Sequence, residues 1–505
     1  MRGGELVYGL EAETSGGWCL TDSTLAISGI MVTRAIYDTL TTASAQGEFV
    51  PYLAESVEPN DDFTQWTITL RDGVTFHDGS PLDATVVKNN LDAYLGRSET
   101  RTSLLFSFVL QNIDTVDVVD PLTLSVTTKV PWPAFRAYLS GGGRLGIMAQ
   151  AQLDDTETCD TNLIGTGPFV LEDWSINDRL STTRNPDYWA TDADGESLPY
   201  LDRLEFRPIP DAETRVNALL SGELDVLHAA SAEAVVTLEA EADSGNVDLV
   251  QSLTNAEVGY LMFNSAQPPF DSPVARRAVA LAIDREAYQQ VRTLGLFPLA
   301  SGPYAPDTPG YLENAGFPAH DLEEARRLAE QYQAETGDPI EFSYVYSGDN
   351  GGTQTAQFIQ EQLSRAGITA NLRAVEQATL ISTSLGNDWN LIPTRNLPSG
   401  VPDANYVWWY GGSPINFGKF DDPEVNSLMD AGRVETDPDA AAEIYQDVNR
   451  RFNEQLHNVW LEWTEWTLAS RPEVGGVMGP VLPDGSEPSP ALALGASVTG
   501  LWIRP

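Results

Sequence analysis

Lysine is almost missing from this 505-residue chain: it occurs three times, at Lys88, Lys129 and Lys419, and arginine supplies the rest of the 29 basic residues. Against 73 acidic residues this leaves a formal net charge of −44. Binding a phosphate backbone needs a basic face, so nucleic acid is excluded as a partner. The excess of carboxylates repels anionic surfaces and favours solubility. It fits either a salt-adapted or GC-rich-genome surface or selection for cationic ligands. Histidine is scarce as well (His77, His228, His320, His457), which argues against a direct metal site. No His-Glu-x-x-His, Gly-x-Ser-x-Gly or P-loop string occurs, so the common hydrolase and nucleotide-binding signatures are missing. A glycosidase pair among the many carboxylates stays open, but no pair stands out. No apolar run reaches about 18 residues, so no transmembrane helix is expected. The two cysteines, Cys19 and Cys159, form no Cys-x-x-Cys pair, which removes zinc and redox-motif readings. They are either one disulfide or two free buried thiols. Polar residues precede Cys19, which speaks against lipid attachment there.

What is present is a globular composition. Hydrophobic residues make up 42% of the chain, and its length allows about three domain-sized units. The start, Met1-Arg2-Gly3-Gly4-Glu5, turns polar at once and offers no secretory signal. Either the protein is cytosolic or its export segment is absent from this chain. Strand patterns at 5–9, 66–70, 122–126, 204–209 and 258–264 alternate with helical patterns at 24–40, 212–221, 274–283, 321–336, 354–366 and 439–456. Asp211 and Asp321 are candidate N-caps, and Gly222 and Gly337 are candidate stops. Strands interleaved with helices predict an α/β architecture.

The most informative run is Leu70-Arg71-Asp72-Gly73-Val74-Thr75-Phe76-His77-Asp78-Gly79-Ser80-Pro81-Leu82. It reads as a hairpin with two Asp-Gly turns leading into a helix near Asp83. Other pieces follow in order: Tyr37-Asp38-Thr39-Leu40, Pro51-Tyr52-Leu53-Ala54-Glu55-Ser56, Gly165-Thr166-Gly167-Pro168, Arg184-Asn185-Pro186-Asp187-Tyr188-Trp189, Leu219–Asp225 and Ala275–Arg285. Together they resemble the extracellular solute-binding proteins of family 5, the dipeptide, oligopeptide and nickel receptors of ABC transporters. The resemblance spans about 400 residues.

The resemblance implies a two-lobed periplasmic-binding-protein type II fold (cluster C), with three subdomains and a hinge. One lobe combines 1–42, 164–254 and 472–505 with an inserted domain at 43–163; the other lobe is 255–471. Cys19 and Cys159 would both lie near the insertion's junction, where a bridge would staple the insertion. The implied function is a receptor, not an enzyme. It would capture a peptide or peptide-like solute without a cofactor, act as a monomer, and deliver the ligand to an ABC permease and ATPase subunits in trans. Such a protein is exported, periplasmic or at the cell surface, with or without a lipid anchor. Alternatives are an oligosaccharide or small organic ligand, or a hydrolase or sensor module on the same fold.

The resemblance places Asp403 where peptide receptors hold the ligand ammonium; a turn cap is the other reading. Arg395 is a candidate carboxylate clamp or the partner of an acidic neighbour. Trp18, Tyr406 and Trp408 offer flat walls with one polar edge. Trp460, Trp463 and Trp466, three apart, fit one helical face in a core, with Trp463 also a ligand candidate. Glu13 and Thr14 lie on the Trp18 loop and suit a ligand backbone or simple capping. Asn416 lines the cleft or fixes a turn.

Overall fold

The computed structural model describes residues 2–504 except 15, 24, 104–105 and 397–399, and excludes the side chains of 377, 378, 381 and 494. One ten-stranded mixed sheet runs through the molecule in the spatial order 369–375, 341–347, 391–396, 248–263, 458–470, 226–229, 5–10, 203–208, 179–184, 169–175. Its centre is the antiparallel pair Asp248–Phe263 and Asn458–Ser470. On one flank Glu5–Leu10 lies between two parallel neighbours. On the other, Glu341–Ser347 pairs in parallel with Thr369–Val375. The central pair carries two register shifts, between Ser252 and Glu257 and between Gly259 and Tyr260, which break regular pairing where the flanks meet. A separate four-stranded antiparallel sheet (54–59, 65–70, 123–128, 113–120) lies wholly within the stretch expected to be inserted.

Local chemistry accounts for many element ends. Asp211 accepts from the Thr214 N–H and Asp321 from the Glu324 N–H, each opening a helix. The same device recurs at Asp83 and Asp284, and each such cap is worth about 1 kcal/mol. The first helix spans Ile27–Ile36, shorter at both ends than the expected 24–40, and Thr24 lies outside the described residues. Its chain then turns extended at Tyr37 and enters a short strand at Thr41–Ala43.

The crossover Gly165-Thr166-Gly167 is dictated by close approach. A Cβ at Gly165 or Gly167 would sit 2.0 Å from the Ile36 carbonyl oxygen or 2.5 Å from its carbon, so no larger residue fits without displacing the first helix. His77 of the hairpin holds this crossover: its backbone N–H donates to the Gly165 carbonyl (2.9 Å), and its Nε2 lies 3.0 Å from the Gly167 carbonyl. Thr166 donates to Asp38 Oδ2 at 3.0 Å. Burial pushes the Asp38 carboxyl up to about 6, although Trp189, Thr166 and Tyr188 all donate to it. Cys19 and Cys159 form a disulfide across 140 residues, tying the loop after the first strand to the segment just before the Gly165 crossover.

The tryptophan triplet requires a correction. Trp460, Trp463 and Trp466 lie on the strand Asn458–Ser470, not on a helix. All three are buried, so their spacing of three reflects core burial rather than a helical face. Trp460 packs on Tyr260 (5.4 Å) and Trp409 (6.1 Å), whereas Trp466 packs on His228 (5.2 Å). The irregular register lets one strand bury aromatic rings into both flanks.

Candidate functional site

A narrow cleft lies between the 106–144 stretch and the 403 loop. Phe106, Val109, Tyr138 and Arg144 form one wall; Val407 and Trp408, with Ala404 and Ile415, form the other. The walls are separated by more than 250 residues of chain, so only the fold brings them together. A larger cavity lies elsewhere, beneath the C-terminal segment and lined by Asp38, Tyr52 and Ser497. Its walls come from the first helix region, residues 39–52 and 140–143, the 190–198 loop and the C-terminal tail, with no contribution from 255–471. It does not bridge the two flanks of the sheet.

At the back of the cleft, Asp403 starts a short turn at Pro402–Asn405 and is buried. Its carboxylate does not cap that turn. Trp132 Nε1 donates to Oδ2 at 2.7 Å, and Arg433 Nε donates to Oδ1 at 2.9 Å. The Tyr138 hydroxyl donates to the Asp403 backbone carbonyl and accepts from Arg433 at 3.2 Å. Arg433 lies 3.6 Å over the Tyr406 ring and 5.4 Å from Trp132. Burial opposes its charge, but Asp403 more than offsets this and holds the guanidinium above its ordinary pKa. A guanidinium of this chain therefore faces Asp403 in this structure, where the resemblance implied a ligand ammonium. Trp132 and Tyr138 lie on the 106–144 side and Asp403 and Arg433 on the other, behind the lining, so this network ties the two sides together.

Tyr406 stands behind the wall, donating to Asp430 (2.6 Å) and stacked on Tyr410 (4.4 Å). Trp408 lies in the wall itself. Asn416 fixes a turn beside it, its Nδ2 donating to the Phe420 carbonyl at 2.8 Å.

A second charged cluster sits at the sheet centre. Arg395, on the strand Leu391–Asn396, donates to Glu11 at 2.8 Å and lies 3.6 Å from Glu257. Of its two expected roles, the pair with acidic neighbours is the one present. Glu257 also accepts from Trp466 Nε1 at 3.0 Å. Burial pushes the Glu257 carboxyl up against the pull of Arg395. For Glu11 burial acts in the same direction, but the Arg395 and Arg215 guanidiniums outweigh it and hold the carboxyl below its ordinary value. Burial drives His228 down to about 3, so it is neutral and its Nε2 accepts the Glu11 backbone N–H at 3.1 Å.

Trp18, Glu13, Thr14 and Trp463 lie outside the cleft lining. Trp18 is buried edge-to-face on Trp174 at 5.7 Å. Glu13 accepts from the Thr14 N–H (2.9 Å) and the Asn177 N–H (3.2 Å), and Thr14 donates to the Gly17 carbonyl (3.3 Å). Trp463 is buried in the central strand pair opposite Val258. Sequence reasoning missed Arg144, Tyr138, Trp132, Arg433 and Glu257. The one local signal was the run Gly141-Gly142-Gly143 before Arg144, which marks an unusual backbone turn.

The family model for bacterial extracellular solute-binding proteins, family 5 (middle), matches residues 48–418. The chain belongs to this family. It is a solute-binding protein of the kind that serves ABC importers, with the two-lobed α/β fold of type II periplasmic binding proteins. It is similar to the glutathione-binding protein GsiB of Salmonella paratyphi A, 32% identical over 425 residues, which cover 81% of this chain and 78% of that protein. The GsiB of Salmonella typhi is 33% identical over 328 residues, 64% of this chain and 60% of the relative. Among solved structures, the binding protein AgaA of A. tumefacien R10 in complex with agropinic acid superposes with a TM-score of 0.86 at 26% identity over 99% of both chains. DppA of Helicobacter pylori in complex with the peptide STSA gives 0.86 at 22% identity, covering 100% of this chain and 99% of that one.

Proposed function

We propose that this protein captures a small peptide or peptide-like solute in the cleft between the 106–144 wall and the 404–415 wall. It then presents the closed complex to a membrane permease driven by ATPase subunits. In this reading it works as a monomer outside the cytoplasmic membrane and transforms nothing chemically. The observation that carries it is the cleft itself: a narrow gap whose apolar and aromatic lining comes from the 106–144 stretch on one side and the 404–415 stretch on the other, the kind of lining small-molecule sites have. A ligand touching both walls binds the closed form better and shifts the population toward it. Names of relatives that carry glutathione, dipeptides or a tetrapeptide agree with a ligand of that size.

In the same reading Asp403 acts as part of the closure contact, since its two carboxylate oxygens already meet Arg433 and Trp132. The ammonium-anchor role implied by the resemblance is the competing assignment. The test is thermal melting with glutathione, dipeptides and oligosaccharides, followed by mass spectrometry of the mixture. A ligand at 100 times its dissociation constant adds about 2.7 kcal/mol to stability. A melting shift with intact peptide is the expected result. A hydrolysed product, or a shift produced by sugars alone, contradicts it.

A further inference from the structure

The central strand pair loses its regular register between Ser252 and Glu257 on one strand and between Trp466 and Thr464 on the other. The helix Ala232–Asp243 belongs to one side of that break, where Ala234 and Leu238 share a core with Val247 and Ala469. Residues 298–300 belong to the other side. The Trp463 N–H donates to the Pro298 carbonyl at 2.8 Å, and the Ala300 N–H donates to the Leu461 carbonyl at 3.2 Å. Yet Phe297, only 3% exposed, is buried with Ala232 and Val235 of that helix in a small cluster of their own. One aromatic ring thus joins the two sides of the break, and it lies outside the cleft lining.

The ring is held out by a fixed turn. After the helix Arg285–Arg292, Leu294 and Gly295 both take positive φ (55° and 77°), a conformation that leucine keeps only where its surroundings impose it. Gln289 Nε2 donates to the Phe297 carbonyl at 2.8 Å. Beside the ring, Arg292 is fixed on its own side by Thr355 (3.1 Å) and Gln354 (2.7 Å), and its Nη1 lies 3.7 Å from Glu233 on the helix across the break. Glu233 is exposed, so this ion pair is screened and weak. The buried ring supplies most of the contact. We propose that the 293–297 turn is a strap across the hinge that favours the closed form whether or not ligand is present. The strap and the bridged cleft walls occur together in this structure, where Trp132 and Tyr138 reach Asp403 and Arg433. Phe297 does not line the cleft, so its loss acts by lowering the fraction of protein that is closed. Apparent affinity then falls by one factor for every ligand. This inference rests on the receptor reading, in which the two sides close about this hinge.

The test uses Phe297→Ala, Phe297→Leu and Glu233→Lys in the full chain. Small-angle X-ray scattering gives the radius of gyration without ligand, calorimetry gives the affinity for Met-Leu and for glutathione, and circular dichroism reports folding. Ligand-free Phe297→Ala should be more extended than wild type. It should bind both ligands about tenfold more weakly, by the same factor. Phe297→Leu, which refills most of the cluster, should recover most of both losses. Glu233→Lys sets a like charge against Arg292 and should weaken both ligands by about twofold. An unchanged radius in folded Phe297→Ala, tighter binding, or weakening confined to one ligand overturns the strap while leaving the receptor reading intact. If Phe297→Ala does not fold, Glu233→Lys decides, and unchanged affinity there overturns the strap. If the wild type binds neither ligand, the peptide reading falls, and the ligand-free scattering of Phe297→Ala and Phe297→Leu against wild type still decides the strap.

Discussion

A guanidinium that lines the cleft and one buried behind it are treated in opposite ways. Arg433 meets a carboxylate at 2.9 Å, a phenol at 3.2 Å and an aromatic face at 3.6 Å. Arg144 meets one backbone carbonyl. A saturated buried charge belongs to the protein's own architecture: its partners are fixed, and removing one leaves the other stranded. An unsaturated one at a cavity wall is left to water. The difference separates what holds the walls together from what faces the gap.

The largest expected effect breaks the saturated side. Arg433→Leu leaves Asp403 buried without its cation and should cost about 3–5 kcal/mol of stability, seen in urea unfolding of the ligand-free protein. Arg144→Gln in the same experiment should change stability by less than about 1 kcal/mol, because it removes no ion pair and only one hydrogen bond. Similar losses for the two variants would erase the contrast.

Next in size is Trp132→Phe. It keeps the ring but removes the 2.7 Å donor to Asp403, at a cost of about 1–3 kcal/mol. The loss should shrink when Asp403 is already asparagine, a coupling that a double-mutant cycle reads directly. Asp403→Asn also separates the two roles of that residue. As a closure contact it should weaken Met-Leu and N-acetyl-Met-Leu alike. As an ammonium anchor it should weaken only the free amine.

The smallest effect concerns pH. Burial raises the Glu462 carboxyl from 4.5 to about 7. A raised acid is stable in its protonated form, so its contribution is fully present below about pH 4.5 and is lost as pH climbs through 7. Glu462→Gln should therefore gain melting temperature relative to wild type at pH 8 and gain little at pH 5. A constant difference across that range would show that the carboxyl titrates normally.

How well the chain could be read before folding followed the range of the interactions. The helix Leu322–Thr336 was readable because Asp321 and Gly337 act within one turn of its ends. The hairpin at 70–82 was readable for the same reason, its Asp78 side chain closing the turn on Ser80 at 2.9 Å. The tryptophan triplet misled because a spacing of three looks the same on a helix as on a strand with shifted register, and the partner strand that decides it lies about 200 residues away. Arg395 carried two equal readings until Glu11, 384 positions distant, was brought to its side. Arg144 was invisible for a related reason: what makes it notable is the lack of a partner, and that is a property of the assembled cleft.

The sharpest measurement is a crystal structure of the protein grown with Met-Leu. The account predicts the dipeptide between the two walls, touching Tyr138 on one side and Trp408 on the other. A dipeptide lodged instead in the larger cavity beside Asp38 and Ser497, with the cleft unfilled, would contradict it.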